Sequence, residues 1–227
     1  MPYARKHQLS VSFVYHVINR GNKKEKIFNG SQDYLYFTYL LRRYVGRFGL
    51  KIYHWILMPN HYHLLLEIAE PERISSCMAG LNRAYTSYHH NNYSTSGFLW
   101  QGRFKLQPIQ KERYLFACGR YIERNPVRAK IVSRAQDYRF GSAKFYCLGE
   151  QDGITTEDPA FAEFGKTINV RRIAYREFLN VHNSGEDEIF RKLDIPVGDN
   201  GFTGKIMREG GRLFPKRRGR PRERIVV

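Results

Sequence analysis

The order of strand-like and helix-like segments is the feature that most constrains the fold of this chain. Alternating and β-rich patterns predict four strands, over 9–18, 50–57, 61–68 and 103–110. Apolar residues at helical spacing predict three helices, over 32–48, 71–92 and 111–125. The resulting order is the split βαββαβ pattern of ferredoxin-like domains, followed by one extra helix. We therefore predict an α+β fold with a mostly antiparallel sheet, helices on one face and an added C-terminal helix.

The composition changes after about Tyr146, where the chain becomes polar and rich in turn residues. This segment is predicted to be a linker or a docked irregular segment, with a helix over 168–182 and a short one near 187–193. The last residues are strongly basic. We accordingly divide the chain into a domain over 1–145, a linker and small helical extension over 146–214, and a basic tail over 215–227.

The charge of the chain indicates a polyanionic partner. Its 38 Lys and Arg residues exceed the 21 Asp and Glu residues, which gives a formal net charge of +17. A solvated basic surface or an affinity for acidic lipid would also account for this charge. The 16 tyrosines and 15 phenylalanines favour nucleic acid, because aromatic rings stack on unpaired bases while Lys and Arg follow the backbone.

Other compositional features predict a cytoplasmic protein that neither spans a membrane nor depends on disulfides. No run of 18 apolar residues occurs, and the first residues lack the apolar core of a secretory signal. The three cysteines, Cys77, Cys118 and Cys147, are far apart and form no CxxC pair.

A pair of histidines predicts a metal site. His61 and His63 are two residues apart on a predicted strand, so both imidazoles project from the same face and Tyr62 from the other. Isolated HxH pairs are more often one packed and one solvated side chain. Here a central apolar strand and a basic, aromatic chain favour a divalent metal. Zinc would need further nitrogen or sulfur ligands, and four other histidines remain candidates: His16, His54, His89 and His90. Mg²⁺ or Mn²⁺ fits better, in a site that one more polar group and the substrate phosphate complete.

The helix predicted over 111–125 carries two tyrosines, Tyr114 and Tyr121. A tyrosine hydroxyl can act as a covalent nucleophile on a polarised phosphate, although tyrosines on such helices mostly pack. Asn125 lies one turn after Tyr121, so its side-chain carbonyl could serve as a third metal ligand. Helical spacing alone does not distinguish Tyr121 from Tyr114.

Four blocks of sequence resemble the REP-associated tyrosine transposases, a group within the single-tyrosine HUH transposases of small insertion sequences. They are YHVINRGN (15–22), WILMPNHYHLLLE (55–67), FLWQGRFK (98–105) and RYIERNPVRAKIV (120–132). The resemblance covers roughly residues 9–145 in matching order and implies a ferredoxin-like fold. It also implies that His61 and His63 hold the metal, that Tyr121 is the nucleophile and that Tyr114 is structural. Asn125 would complete the metal site, at a position where insertion-sequence relatives usually have glutamine.

The activity that the resemblance implies is cleavage and rejoining of single-stranded DNA. Tyr121 would attack a phosphodiester, leaving a 5′-phosphotyrosine and a free 3′-hydroxyl, and a second 3′-hydroxyl would reverse the step. The implied substrates are single strands with imperfect hairpins, the REP palindromes. Insertion-sequence relatives act as dimers that exchange the tyrosine helix, which makes a homodimer an expectation here as well.

Further DNA contacts are predicted in two places. Trp100, Arg103 and Lys105 are candidates, although a packed tryptophan and solvated charges would explain them equally well. In the basic tail, Arg218, Gly219, Arg220 and Pro221 resemble an AT-hook, whose narrow, extended RGRP segment suits the minor groove of AT-rich DNA. A nonspecific electrostatic arm is the equal alternative for this tail.

The sequence is compatible with three functions. The leading one is a metal-dependent, tyrosine-linked DNA strand transferase. The second is a hairpin-binding regulator derived from a transposase that no longer cuts. The third is a nuclease in which water attacks and Tyr121 only packs. A covalent protein–DNA adduct separates the first from the other two.

Overall fold

Four strands form a single sheet in the computed structural model, which describes residues 13–193 and 195–210, with the backbone alone for 112, 113 and 207–210. The strands are β1 (Val14–Arg20), β2 (Leu50–Met58), β3 (His61–Ile68) and β4 (Lys105–Ile109). They lie in the order β2-β3-β1-β4, and every neighbouring pair is antiparallel. This arrangement confirms the predicted ferredoxin-like fold.

The three predicted helices are present as α1 (Ser31–Phe48), α2 (Ile74–Tyr93) and α3 (Lys111–Glu123). Helix α1 ends at Gly49, whose left-handed backbone closes its last turn, as the sequence predicts. Pro71 opens a 3-10 turn over Pro71–Arg73 that precedes α2. A short helix α4 (Asn125–Arg128) follows α3 at once, because Pro126 falls in its first turn, where no backbone N–H is needed.

The two faces of the sheet carry different helices. Helices α1 and α2 cover one face, and Phe37, Leu41, Leu64 and Tyr85 are buried in the core between them and the sheet. Helix α3 covers the opposite face with a second apolar cluster, which includes Leu65 of β3. Burying each such side chain stabilises the fold by about 1.5–3 kcal/mol. The helices of the βαββαβ unit thus lie on one face, and the extra helix lies on the other.

The C-terminal region adds four helices, α5 (Ala143–Leu148), α6 (Ile168–Asn180), α7 (Ser184–Arg191) and α8 (Asn200–Gly210). A third apolar cluster, containing Tyr146, Phe161 and Tyr175, joins α5 and α6 beside α3. The irregular segment between them is docked on β2, since the Thr156 N–H donates to the Ile52 carbonyl at 2.7 Å. The division of the chain into domains stays a prediction. None of the helices in the described part of the chain is long and apolar enough to cross a membrane.

Candidate active site

Strand β3 places His61 and His63 on the face of the sheet that α3 covers. His63 pairs with Ile18 of β1 and Ile56 of β2, so it lies on a central strand. Tyr62 points to the opposite face, where its hydroxyl donates to Asn82 Oδ1 at 3.0 Å. The predicted alternation therefore puts both imidazoles on one side of the sheet.

Tyr121 of α3 lies against His63 and lines the same cavity as His61. Its ring centroid is 5.8 Å from that of His63, and the Arg128 guanidinium lies 4.2 Å from the Tyr121 ring centroid. Burial raises the pKa of Tyr121, and the charge of Arg128 opposes that rise. The phenol therefore carries its proton at neutral pH. Tyr114 instead packs at the edge of the apolar cluster between α3 and the sheet.

Asn125 presents an amide oxygen to the same place. Its Nδ2 donates to the carbonyls of Tyr121 and Ile122, at 3.1 and 2.9 Å. Because carbonyls only accept, the amide nitrogen must face them, which leaves Oδ1 as the acceptor of a side chain that lines the same cavity as His61. The structure thus brings together His61, His63, Tyr121 and Asn125.

A chain of hydrogen bonds fixes the tautomer of His63. Gln107 Nε2 lies 3.4, 3.1 and 2.9 Å from three backbone carbonyls, those of Ile189, Lys192 and Ile195. The Gln107 amide nitrogen must face these acceptors, so its Oε1 accepts from His16 Nδ1 at 3.0 Å. His16 Nε2 is then unprotonated and accepts from His63 Nδ1 at 2.8 Å. His63 Nε2 consequently keeps its lone pair.

His61 is held in the same tautomer by a different neighbour. Its Nδ1 lies 2.6 Å from Asn60 Oδ1, an acceptor, so Nδ1 carries the proton and Nε2 keeps its lone pair. Burial, and after it the charge of Arg20, lower the pKa of His61 to about 4. Burial and the neighbouring His16 hold the pKa of His63 well below its usual range. Both imidazoles are therefore neutral at pH 7.

The donor set fits a divalent cation. Two neutral imidazole nitrogens and one amide oxygen are ligands that Mg²⁺ or Mn²⁺ accepts when phosphate or water completes the shell. Within the described residues, no group of three or more His, Cys, Asp and Glu side chains is placed to hold a metal. His16 cannot serve as the third nitrogen, since one ring atom accepts from His63 and the other donates to Gln107. His54, His89 and His90 do not line this cavity.

The site opens into a basic cavity of about 720 Å³. Five of its described lining residues are cationic and none is acidic; the cations are Arg20, Arg103, Lys105, Arg128 and Arg191. Arg103 and Lys105 were predicted as DNA contacts, whereas Arg20, Arg128 and Arg191 were not. Such a lining attracts a phosphate backbone.

Trp100 does not line the cavity. Its indole N–H donates to Thr86 Oγ1 at 2.9 Å, and its ring packs edge-on against Tyr62 on the α2 face of the sheet. Its role as a DNA contact stays a prediction. The AT-hook-like residues Arg218, Gly219, Arg220 and Pro221 lie outside the described residues.

Comparison with known proteins identifies the family. Residues 10–125, more than half of the chain, match the family described as "Transposase IS200 like". The chain belongs to the IS200-like transposase family. It is also similar to a solved structure described as the REP-associated tyrosine transposase bound to a REP hairpin. That likeness has a TM-score of 0.52 at 19% identity and covers 63% of this chain and 82% of that one, so it shows the shared fold. A comparison with curated proteins found no match.

The C-terminal extension of this family member fastens the tyrosine helix, a feature that sequence reasoning missed. Arg128 donates to Asp187 at 2.7 Å, Arg120 pairs with Glu186, and Phe190 packs against the ring of Tyr121 at 5.5 Å. The one sequence signal was the acidic run SGEDE in a strongly basic chain. Tyr121 therefore faces His63 within a single chain.

A second buried centre holds α3 from the side of β2. His54 Nδ1 lies 2.9 Å from Glu123 Oε1, and His54 Nε2 lies 3.3 Å from Asp158 Oδ2. Helix α3 can approach this closely because residue 119 is glycine, where a Cβ would lie 2.6 Å from His54 Nε2. Burial alone would lower the pKa of His54, but the two carboxylates outweigh it and raise the pKa to about 9.

The stability of the fold is expected to fall between pH 6.5 and 9. Below pH 6.5 His54 is protonated in the folded and the unfolded chain alike, so its ion pairs contribute fully to stability. Between pH 6.5 and 9 the unfolded chain releases this proton while the folded chain keeps it, so the contribution of the ion pairs is progressively lost. The loss is about 3 kcal/mol in the free energy of unfolding. Urea unfolding across this range checks it, and His54→Gln is the comparison that cancels other titrations. Equal pH slopes for the two proteins would contradict a charged His54.

Proposed function

We propose that the chain is a metal-dependent DNA strand transferase that cuts single-stranded DNA beside hairpins through a 5′-phosphotyrosine intermediate. The observation that carries this proposal is the placement of Tyr121 against His63, in a cationic cavity that His61 also lines. The structural neighbour is bound to a REP hairpin, which supports hairpin DNA as the substrate class.

The chemistry is an exchange of phosphodiester bonds. Tyr121 Oη attacks the phosphorus, and the bond from phosphorus to the 3′-oxygen breaks. The phenol loses its proton, and the leaving 3′-oxygen takes up a proton to become a hydroxyl. Attack of another 3′-hydroxyl on the phosphotyrosine joins the strands and restores the phenol. The bond energy is conserved in each exchange, so strand transfer needs no external energy source.

The residues of the site have separate tasks in this reaction. His61, His63 and Asn125 would hold Mg²⁺ or Mn²⁺, and the bound cation supplies Lewis-acid polarisation of a phosphoryl oxygen. Arg103, Lys105 and the other cations of the cavity bind the backbone on either side of the reacting phosphate. Arg128 lies over the Tyr121 ring, where its charge favours the phenolate that forms when the phosphotyrosine is released.

The test is an adduct assay on end-labelled hairpin DNA taken from the sequence around the gene, with Mn²⁺ present. Wild-type protein and Tyr114→Phe are expected to give a slow, protease-sensitive band on a denaturing gel. Tyr121→Phe is expected to give none, because the nucleophile is removed while the metal ligands and cationic residues stay. Tyr114 is the matched control, since it lies on the same helix.

The competing functions predict different results in the same assay. Cleavage without an adduct would identify a nuclease in which water attacks. Tight hairpin binding with neither cleavage nor adduct would identify a regulator that binds DNA without cutting it. A homodimer, the basic tail as a minor-groove arm and a cytoplasmic location all stay predictions.

A further inference from the structure

Phe98 is the most exposed of the large hydrophobic side chains among the described residues. Its exposed fraction is 89%, against 56% for the next, Val181. It lies in the segment that joins α2 to β4. A phenylalanine in this position contributes nothing to the core, although burying its ring would be favourable by about 1.5–3 kcal/mol.

The backbone around Phe98 is held in place by hydrogen bonds. The Asn22 N–H donates to the Leu99 carbonyl at 2.8 Å, and the Gln101 N–H donates to the Arg20 carbonyl at 2.9 Å. His90 Nε2 lies 3.1 Å from the Gly97 carbonyl. The exposed ring is therefore presented from a fixed position between the end of β1 and the end of α2.

The chain that follows Phe98 lines the active-site cavity. Gln101, Gly102 and Arg103 all line that cavity, and Gln101 is three residues after Phe98. Three residues of chain span about 10 Å at most. The ring is therefore within reach of the nucleotides that flank a phosphate bound beside Tyr121.

The chemistry of this place selects an unpaired base. The cations of the cavity select a phosphate backbone, and a flat apolar ring beside them offers a stacking surface for a base. Paired bases inside a duplex already stack on their neighbours. A single ring is too small for a protein partner, because stable protein interfaces bury at least about 1,000 Å².

We propose that Phe98 stacks on an unpaired base of the DNA strand whose phosphate lies in the Tyr121 cavity. This rests on the proposed function only in that single-stranded DNA occupies the cavity. Phe98 would then favour hairpins with unpaired flanking nucleotides over hairpins without them. No particular base is selected, since every base has an aromatic face.

The experiment measures binding by full-length protein in the presence of a chelator, so that cleavage plays no part. The probes are a hairpin with unpaired tails on both sides of its stem, a blunt hairpin with the same stem, and a tailed hairpin with 2-aminopurine in a tail. Phe98→Ala is expected to weaken binding of the tailed hairpin by about 5- to 100-fold, and to leave the blunt hairpin unchanged. Wild-type protein is expected to quench 2-aminopurine at one tail position, and Phe98→Ala to lose that quenching.

Two control variants test whether the effect depends on an aromatic ring at residue 98. Phe98→Trp retains an aromatic ring and is expected to bind the tailed hairpin like the wild type. Ile173→Ala removes another exposed apolar side chain, on α6, and is expected to change neither probe. Equal affinity of Phe98→Ala and wild-type protein for the tailed hairpin would overturn the proposal, and so would equal weakening of both hairpins. Because cleavage is not measured, these results stand apart from the outcome of the adduct assay.

Discussion

Replacing His61 by alanine is expected to slow Mn²⁺-dependent cleavage of hairpin DNA by about a thousandfold or more. The variant loses one of two imidazole ligands, and Lewis-acid stabilisation of a phosphoryl transition state amounts to several kcal/mol, at 1.36 kcal/mol per factor of ten. His63→Ala is expected to have the same effect. Hairpin binding in the presence of a chelator should be retained, because the five cations of the cavity are unchanged.

The measurement is the cleavage rate as a function of Mn²⁺ concentration, together with calorimetric titration of Mn²⁺ into each protein. His89→Gln is the matched control, since His89 lies on α2 and does not line the active-site cavity. Cleavage by His61→Ala at the wild-type rate and with the wild-type Mn²⁺ dependence would exclude this histidine pair as the metal site.

Replacing Gln107 by leucine is expected to weaken Mn²⁺ binding by about 10- to 100-fold, although Gln107 is not a metal ligand. The Gln107 amide fixes the tautomer of His16, and His16 fixes that of His63. Without the Gln107 acceptor, His16 is free to protonate Nε2, and His63 then loses the arrangement that leaves its own Nε2 available. The Mn²⁺ dissociation constant and the ¹⁵N shifts of the His63 ring check this result.

Two comparisons separate this effect from a general loss of stability. Gln107→Glu also gives up the hydrogen bonds to three backbone carbonyls but keeps an acceptor for His16, so its Mn²⁺ affinity is expected to lie nearer the wild type. Gln136→Leu removes another buried glutamine and is expected to leave Mn²⁺ binding unchanged. A folded Gln107→Leu protein with wild-type Mn²⁺ affinity would refute the hydrogen-bond chain.

Local periodicity was sufficient to predict the fold and the histidine pair. The alternation over 61–68 identified β3 and put His61 and His63 on one face, because a strand fixes the side-chain direction residue by residue. The same reasoning identified α1 and its end at Gly49. It also predicted that Tyr121 and Asn125 lie on the same side of the helix expected over 111–125, since four residues make about one helical turn.

The residues that support the site could not be predicted, because they meet only through tertiary packing. His16 and Gln107 are 91 residues apart in sequence, and the carbonyls that orient Gln107 come from the far end of the chain. The acidic run around Asp187 indicates a basic partner, but it does not indicate that the partner is Arg128, which lies over the Tyr121 ring. The polar extension therefore looked like a linker, although it packs against the tyrosine helix and orients the histidines.

The most direct test of tyrosine-linked cleavage is mass spectrometry of the protein after it has reacted with hairpin DNA and Mn²⁺. Protease and nuclease digestion should leave the peptide that contains Tyr121 with one or a few nucleotides joined to the phenol through a 5′-phosphate. We expect this modification on Tyr121 and its loss when a strand with a free 3′-hydroxyl is added. Nucleotides attached to Tyr114 or to another residue, or cleaved DNA with every peptide unmodified, would contradict it.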